Sequence, residues 1–157
     1  MEAERPHCLV IGVGAGTGLA CVRRFVDGGY KVSMVARHKG RLASWTKDIA
    51  NTVPYPSDLT DLTHSRATLE QIKAEQGLPR IVVYNAALAT FAPYTELNPL
   101  DFERNFRANT TGLLITAQVF GPDMIKAGGG SIVITGNTGA RRGKPRFVGF
   151  APTKASQ

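Results

Sequence analysis

Five short apolar runs punctuate the chain, over residues 8–11, 31–36, 53–56, 81–84 and 131–135. Each is bounded by turn residues and too short for a helix, so each reads as a strand buried on both faces. The stretches between them have a helical period. Residues 17–27 place Leu19, Ala20, Val22, Phe25 and Val26 where they can face a sheet, and Gly28-Gly29 closes the helix. A second helix, interrupted by Gly40, runs to about Ala50. A third runs from about Leu62 to Gln76, capped by Asp61 and stopped at Gly77-Leu78-Pro79. A long fourth begins at Asn98, with Pro99 in its first position and Asp101 in its first turn. It continues to about Lys126, with Phe102, Phe106, Leu113, Ala117 and Phe120 near one face.

Strands alternating with helices through short turns predict an α/β fold, a doubly wound parallel sheet with helices on both faces. Right-handed crossovers around a central first strand give the strand order 3-2-1-4-5.

The first strand runs into Gly12-Val13-Gly14-Ala15-Gly16-Thr17-Gly18. Glycine permits positive φ and close approach of backbone to a ligand. The helix that starts near Thr17 then points its first N–H groups beyond the strand end, where a phosphate fits. The spacing G-x-G-x-x-G is not present in any register, whereas G-x-x-x-G-x-G is, at Gly12, Gly16 and Gly18. An ordinary strand-to-helix turn would also be rich in glycine. With this spacing, and with its other landmarks in order from His7 to Lys154, the chain resembles the short-chain dehydrogenase/reductase family, which has a Rossmann fold.

The resemblance implies a dinucleotide cofactor. In such a fold the end of the second strand faces the adenosine ribose, where an acidic residue would bind the 2′-hydroxyl of NAD. Here the residues are Ala36-Arg37-His38, with no acid. Arg37 can pair with a 2′-phosphate, which favours NADP(H) over NAD(H), with NADPH preferred to NADH. The alternative is that Arg37 is a plain surface arginine. Asp58-Leu59 resembles the family's Asp–aliphatic pair beside adenine, although Asp58 could instead cap the next helix. Asn85-Ala86-Ala87 stands where the family has Asn-Ala-Gly, and Asn85 would hold strand ends together beside the cofactor. Asn109 matches the helix asparagine of the family's proton relay.

At the catalytic segment the resemblance fails in part. The family pairs a tyrosine, which moves the proton of the substrate oxygen, with a lysine four residues later. Here the pair reads Phe150 and Lys154. Lys154 would hold the nicotinamide ribose, but Phe150 has no proton to give. The family's serine falls on Asn137, and the neighbouring Thr138 could supply a hydroxyl. The chain stops one turn into the helix that bears Lys154, so one NAD(P)-binding domain over residues 1–157 is expected, lacking its last strands. The family implies about 100 residues more. The expected activity is oxidoreduction of an unidentified alcohol or carbonyl, impaired by these losses. The alternatives are a non-catalytic NADP-binding module, a regulatory partner of a full-length relative or a homo-oligomer, and a fragment without function.

Composition changes little. A 157-residue chain with 43% hydrophobic and 20% charged residues can form a soluble domain that buries roughly 70% of its unfolded surface. No apolar run is long enough to span a membrane, and the polar start Met1-Glu2-Ala3-Glu4-Arg5-Pro6 is neither signal nor transit peptide, so a cytoplasmic protein is expected. Cys8 and Cys21 read as small core residues in a reducing compartment. His7, His38 and His64 lack metal-ligand spacing. The net charge of +7 raises the question of nucleic acid. Its basic residues fall into two local groups, 37–41 and 141–146, without interleaved aromatics on a helix face, so no nucleic-acid partner is expected.

Overall fold

Every residue of β1 (His7–Ile11) is buried, and the sheet is laid out to either side of it. The computed structural model describes residues 5–157, and Met1 to Glu4 of the polar start lie outside them. Five parallel strands pair in the order β3-β2-β1-β4-β5, the order the sequence predicts. They are β1, β2 (Lys31–Ala36), β3 (Thr52–Pro56), β4 (Ile81–Tyr84) and β5 (Ser131–Ile134). β3 carries Pro54 and Pro56, which cannot donate to a ladder, and it lies at an edge where that loss is tolerated. β5 forms the other edge of the described sheet, with Val133 52% exposed.

Side chains alternate across β1. Cys8 and Val10 pack with Val22, Met34 and Leu42 beneath α1 (Thr17–Asp27) and α2 (Lys39–Asp48). Leu9 and Ile11 pack with Leu69, Ile72, Val119 and Phe120 of α3 (Leu62–Gln76) and α5 (Gly112–Lys126). The predicted caps form: Asp61 accepts from the His64 N–H at 2.9 Å, and Asn98 accepts from the Leu100 N–H at 2.9 Å. Cys8 is buried, and burial pushes its thiol pKa up to about 12, as suits a core residue.

The long fourth helix is not uniform. α4 (Pro99–Phe106) and α5 are joined by a π turn at Arg107–Thr111. A π turn leaves backbone carbonyls unpaired along the helix. Two are taken from outside: the buried Tyr84 hydroxyl donates to Ala108 O, and the Gln157 amide donates to Asn109 O at 2.7 Å. The regular helix expected there gives way because these distant groups reward the wider turn.

His7, which the sequence distinguishes only by its lack of metal spacing, is a structural residue. Its Nδ1 donates to Gly77 O at 3.0 Å and its Nε2 accepts from the Ser33 hydroxyl at 2.8 Å. Burial holds its pKa below the ordinary value, with the charge of Lys31 adding to the effect and the Gly77 bond opposing it. The unfolded chain therefore takes up a proton here before the folded one does as pH falls through about 6.5. The stability His7 contributes is complete above that pH and is lost below it. Urea unfolding at about pH 7.5 and about pH 5 should show a smaller acid-induced loss for His7→Asn than for the parent.

Candidate functional site

The turn between β1 and α1 lies at the C-terminal end of the sheet. Gly12 has φ +89°, and a Cβ there would collide with the Ala86 backbone nitrogen beyond β4. A Cβ on Gly18 would come within 2.6 Å of Gly12 O, so glycine lets α1 sit down on the turn. Gly16 differs, because a Cβ there would meet no protein atom within 4 Å. It is also the N-cap of α1, whose first turn begins at Thr17 and receives no side-chain cap. The Leu19 N–H donates to Gly14 O at 3.0 Å, and the open space over the rest of this positive helix end fits an anionic group such as a diphosphate.

A cleft of about 290 Å³ extends from this turn across the ends of β1, β2 and β4. Arg37, His38 and Arg41 form one wall, and Asp58, Thr60 and Asn85 contribute to the rest. Asp58 accepts from the Thr60 N–H and hydroxyl, both at 2.9 Å. Burial works against its ionised form, but those two bonds and the charges of Arg37 and Arg104 hold its pKa below the usual carboxylate range. The Ser57 N–H donates to Ala36 O at 3.0 Å, which places Ser57 beside Arg37. Its hydroxyl is buried without a partner among the described residues, a polar group left over in the lining of the cleft. Asn85 ties the floor together: its amide donates to Gly12 O at 2.8 Å and its carbonyl accepts from the Thr135 hydroxyl at 2.9 Å.

A second group lies behind the first, where the π turn meets α6 (Ala151–Ala155). Asn109 is fully buried. Its amide carbonyl accepts from Leu88 N at 2.7 Å, and its NH₂ donates to Leu88 O and Thr153 Oγ1, both at 2.8 Å. Asn105, one turn earlier on α4, donates to Gly149 O at 2.7 Å, so two asparagines hold segment 149–153. Lys154 is 7% exposed, and burial lowers its pKa. Its ammonium donates to Thr135 O and to Gln157 Oε1, both at 3.0 Å. The Phe150 ring lies 5.9 Å from that ammonium and packs edge-on against Phe91 at 5.8 Å. Asn137 caps a 3₁₀ turn (Thr138–Ala140) by accepting from Gly139 N at 2.7 Å, and Thr138 is exposed.

The fold thus gathers Gly12, Arg37, Asp58 and Asn85 around one cleft, while Gly16, Thr17 and Gly18 lie at the start of α1, outside its lining. It places Asn109, Lys154 and Thr138 in the second group, and none of these lines the cleft. Residues 6–156 match the short chain dehydrogenase family. The chain belongs to that family.

An oxidoreductase of Sarocladium schorii is 29% identical over 149 residues, 94% of this chain and 60% of that protein. Among solved structures, a short-chain dehydrogenase from Streptomyces avermitilis superposes with a TM-score of 0.91 at 22% identity, over 98% of this chain and 57% of the other. A gluconate 5-dehydrogenase from Burkholderia cenocepacia, in complex with NADP and tartrate, gives 0.85 at 23% identity, over 98% and 62%. This short-chain dehydrogenase chain spans about 60% of the length of the first curated relatives it matches.

Among the described residues no helix is long and apolar enough to cross a membrane, and no cluster of metal-ligating side chains is present. Several residues of the site went unnoticed in the sequence. Arg41 belongs to the basic group 37–41 of the sequence, but its place at the cleft follows from the start of α2. Ser57, Thr135 and Gln157 are placed by strand register and by the π turn, and no local pattern announces them.

Proposed function

We propose that this chain binds NADP(H) in preference to NAD(H) and descends from oxidoreductases of an alcohol or carbonyl, with its proton-transfer step impaired. The observation that carries the reading is the wall after β2. Arg37, His38 and Arg41 line the cleft with no acid following Ala36, and the one carboxylate among the lining residues, Asp58, is engaged by Thr60. A ribose 2′-phosphate gains from that wall, whereas a bare 2′-hydroxyl has no carboxylate to bind. Gly12, Gly16, Thr17 and Gly18 would carry the diphosphate, with Asp58 and Asn85 beside adenine and ribose. When bound, the nicotinamide supplies or accepts the hydride. Asn109, Lys154 and Thr138 are the groups left to orient a carbonyl and its proton.

A second reading, a non-catalytic NADP-binding module or a regulatory partner of a full-length relative, is favoured by Phe150. It occupies the position of the family's proton donor, is buried, and offers no exchangeable hydrogen. Both readings share the cofactor. Fluorescence titration should show NADPH binding more tightly than NADH, and Arg37→Ala should weaken NADPH by about tenfold or more while leaving NADH within about twofold. Equal affinities in the parent, unchanged in Arg37→Ala, would overturn the reading.

A further inference from the structure

Lys154 occupies an unusual position for a cofactor-binding group. Its side chain is almost wholly buried, and both acceptors of its ammonium belong to the protein. One is the Thr135 carbonyl just beyond β5. The other is the side chain of Gln157, three residues on, whose own amide is anchored at 2.7 Å on Asn109 O, the carbonyl exposed by the π turn. Gln157 therefore spans from the helix on one side to the lysine on the other. Asn109, Lys154 and Gln157 are not among the residues that line the cleft.

We propose that Gln157 is a positioning residue that holds Lys154 in a retracted state, so that only the adenosine half of the dinucleotide site is open. The inference rests on the cofactor reading above. An ammonium that already donates to two half-buried protein acceptors gains little by exchanging one of them for a solvated ribose hydroxyl. Removing Gln157 changes that balance. It takes away one acceptor and leaves a buried charge short of a partner, a deficit that a ligand hydroxyl can make good. The Gln157 amide also separates Lys154 from Asn109 with a group whose donor and acceptor are different atoms, so it does not pass a proton from one side to the other as a hydroxyl or a water does.

The test uses two ligands, NADPH and 2′,5′-ADP, which share the adenosine 2′-phosphate but only one of which carries nicotinamide ribose. The parent should bind the two within about threefold of each other. Gln157→Ala should tighten NADPH by about tenfold, with 2′,5′-ADP unaffected, and Lys154→Ala added to Gln157→Ala should abolish the gain. Thermal melts of each variant without ligand show that differences in binding are not differences in folding. The proposal is overturned if the parent already binds NADPH far more tightly than 2′,5′-ADP, or if Gln157→Ala shifts both ligands alike or neither. Failure of the parent to bind 2′,5′-ADP at all would overturn the cofactor reading itself, and this proposal with it.

Discussion

In the Gln157→Ala background, Phe150→Tyr is expected to raise NADPH-dependent carbonyl reduction by about 10²–10⁴-fold, the range that a positioned general acid contributes. The surroundings already suit a phenol. The Lys154 ammonium is 5.9 Å from the centre of the ring, and a positive charge near a phenol favours its ionised form. Asn105 and Asn109 fix the backbone on either side of position 150 through Gly149 and Thr153, so the added hydroxyl would be delivered to one place. Steady-state turnover with a panel of aldehydes and ketones checks this. Phe150→Leu should give no gain, and Lys154→Ala in the tyrosine background should remove most of it. A tyrosine variant that binds NADPH and still turns over no faster than the parent would leave the non-catalytic module as the surviving reading.

The second large effect separates two glycines of one motif. Gly12→Ala should destabilise the protein by about 3 kcal/mol or more, because the new Cβ meets the Ala86 backbone and the residue keeps φ +89°. For a chain of this length that is roughly 6–12 °C in melting temperature. Gly16→Ala should cost at most about 1 kcal/mol, since its Cβ points into open space, yet it should weaken NADPH by about tenfold or more by filling the room above the helix end. Scanning calorimetry and a nucleotide titration on the two variants should give opposite patterns. A Gly16→Ala protein that binds NADPH as the parent does would remove the phosphate from that end of the cleft.

These contrasts show which parts of the molecule could be read from the chain alone. Caps such as Asp61 and Asn98 were legible because the bond runs from a side chain to an N–H two or three residues away. The strands were legible because burial on both faces demands continuous apolar runs. The site was legible where its chemistry is local, as at the glycine turn and at the missing acid after Ala36. It was not legible where distant groups meet. The turn at Arg107–Thr111 contains neither glycine nor proline, and its cause is a tyrosine from β4 and a glutamine from beyond α6. His7 has its meaning only beside Ser33 and Gly77, and register brings them together. Arg41 becomes a cleft residue only once α2 is known to start at Lys39.

The amide of Asn85 joins Gly12 to Thr135, partners that come from beyond the first and last strands of the sheet. A chain still emerging from a ribosome, or one folded only through β4, has the glycine turn but not the clasp that shapes the floor beneath it. The floor of the cleft is therefore complete only when β5 has joined the sheet and brought Thr135 to Asn85. A nucleotide that recognises this cleft selects finished molecules and draws the equilibrium towards them, a ratchet on the final step.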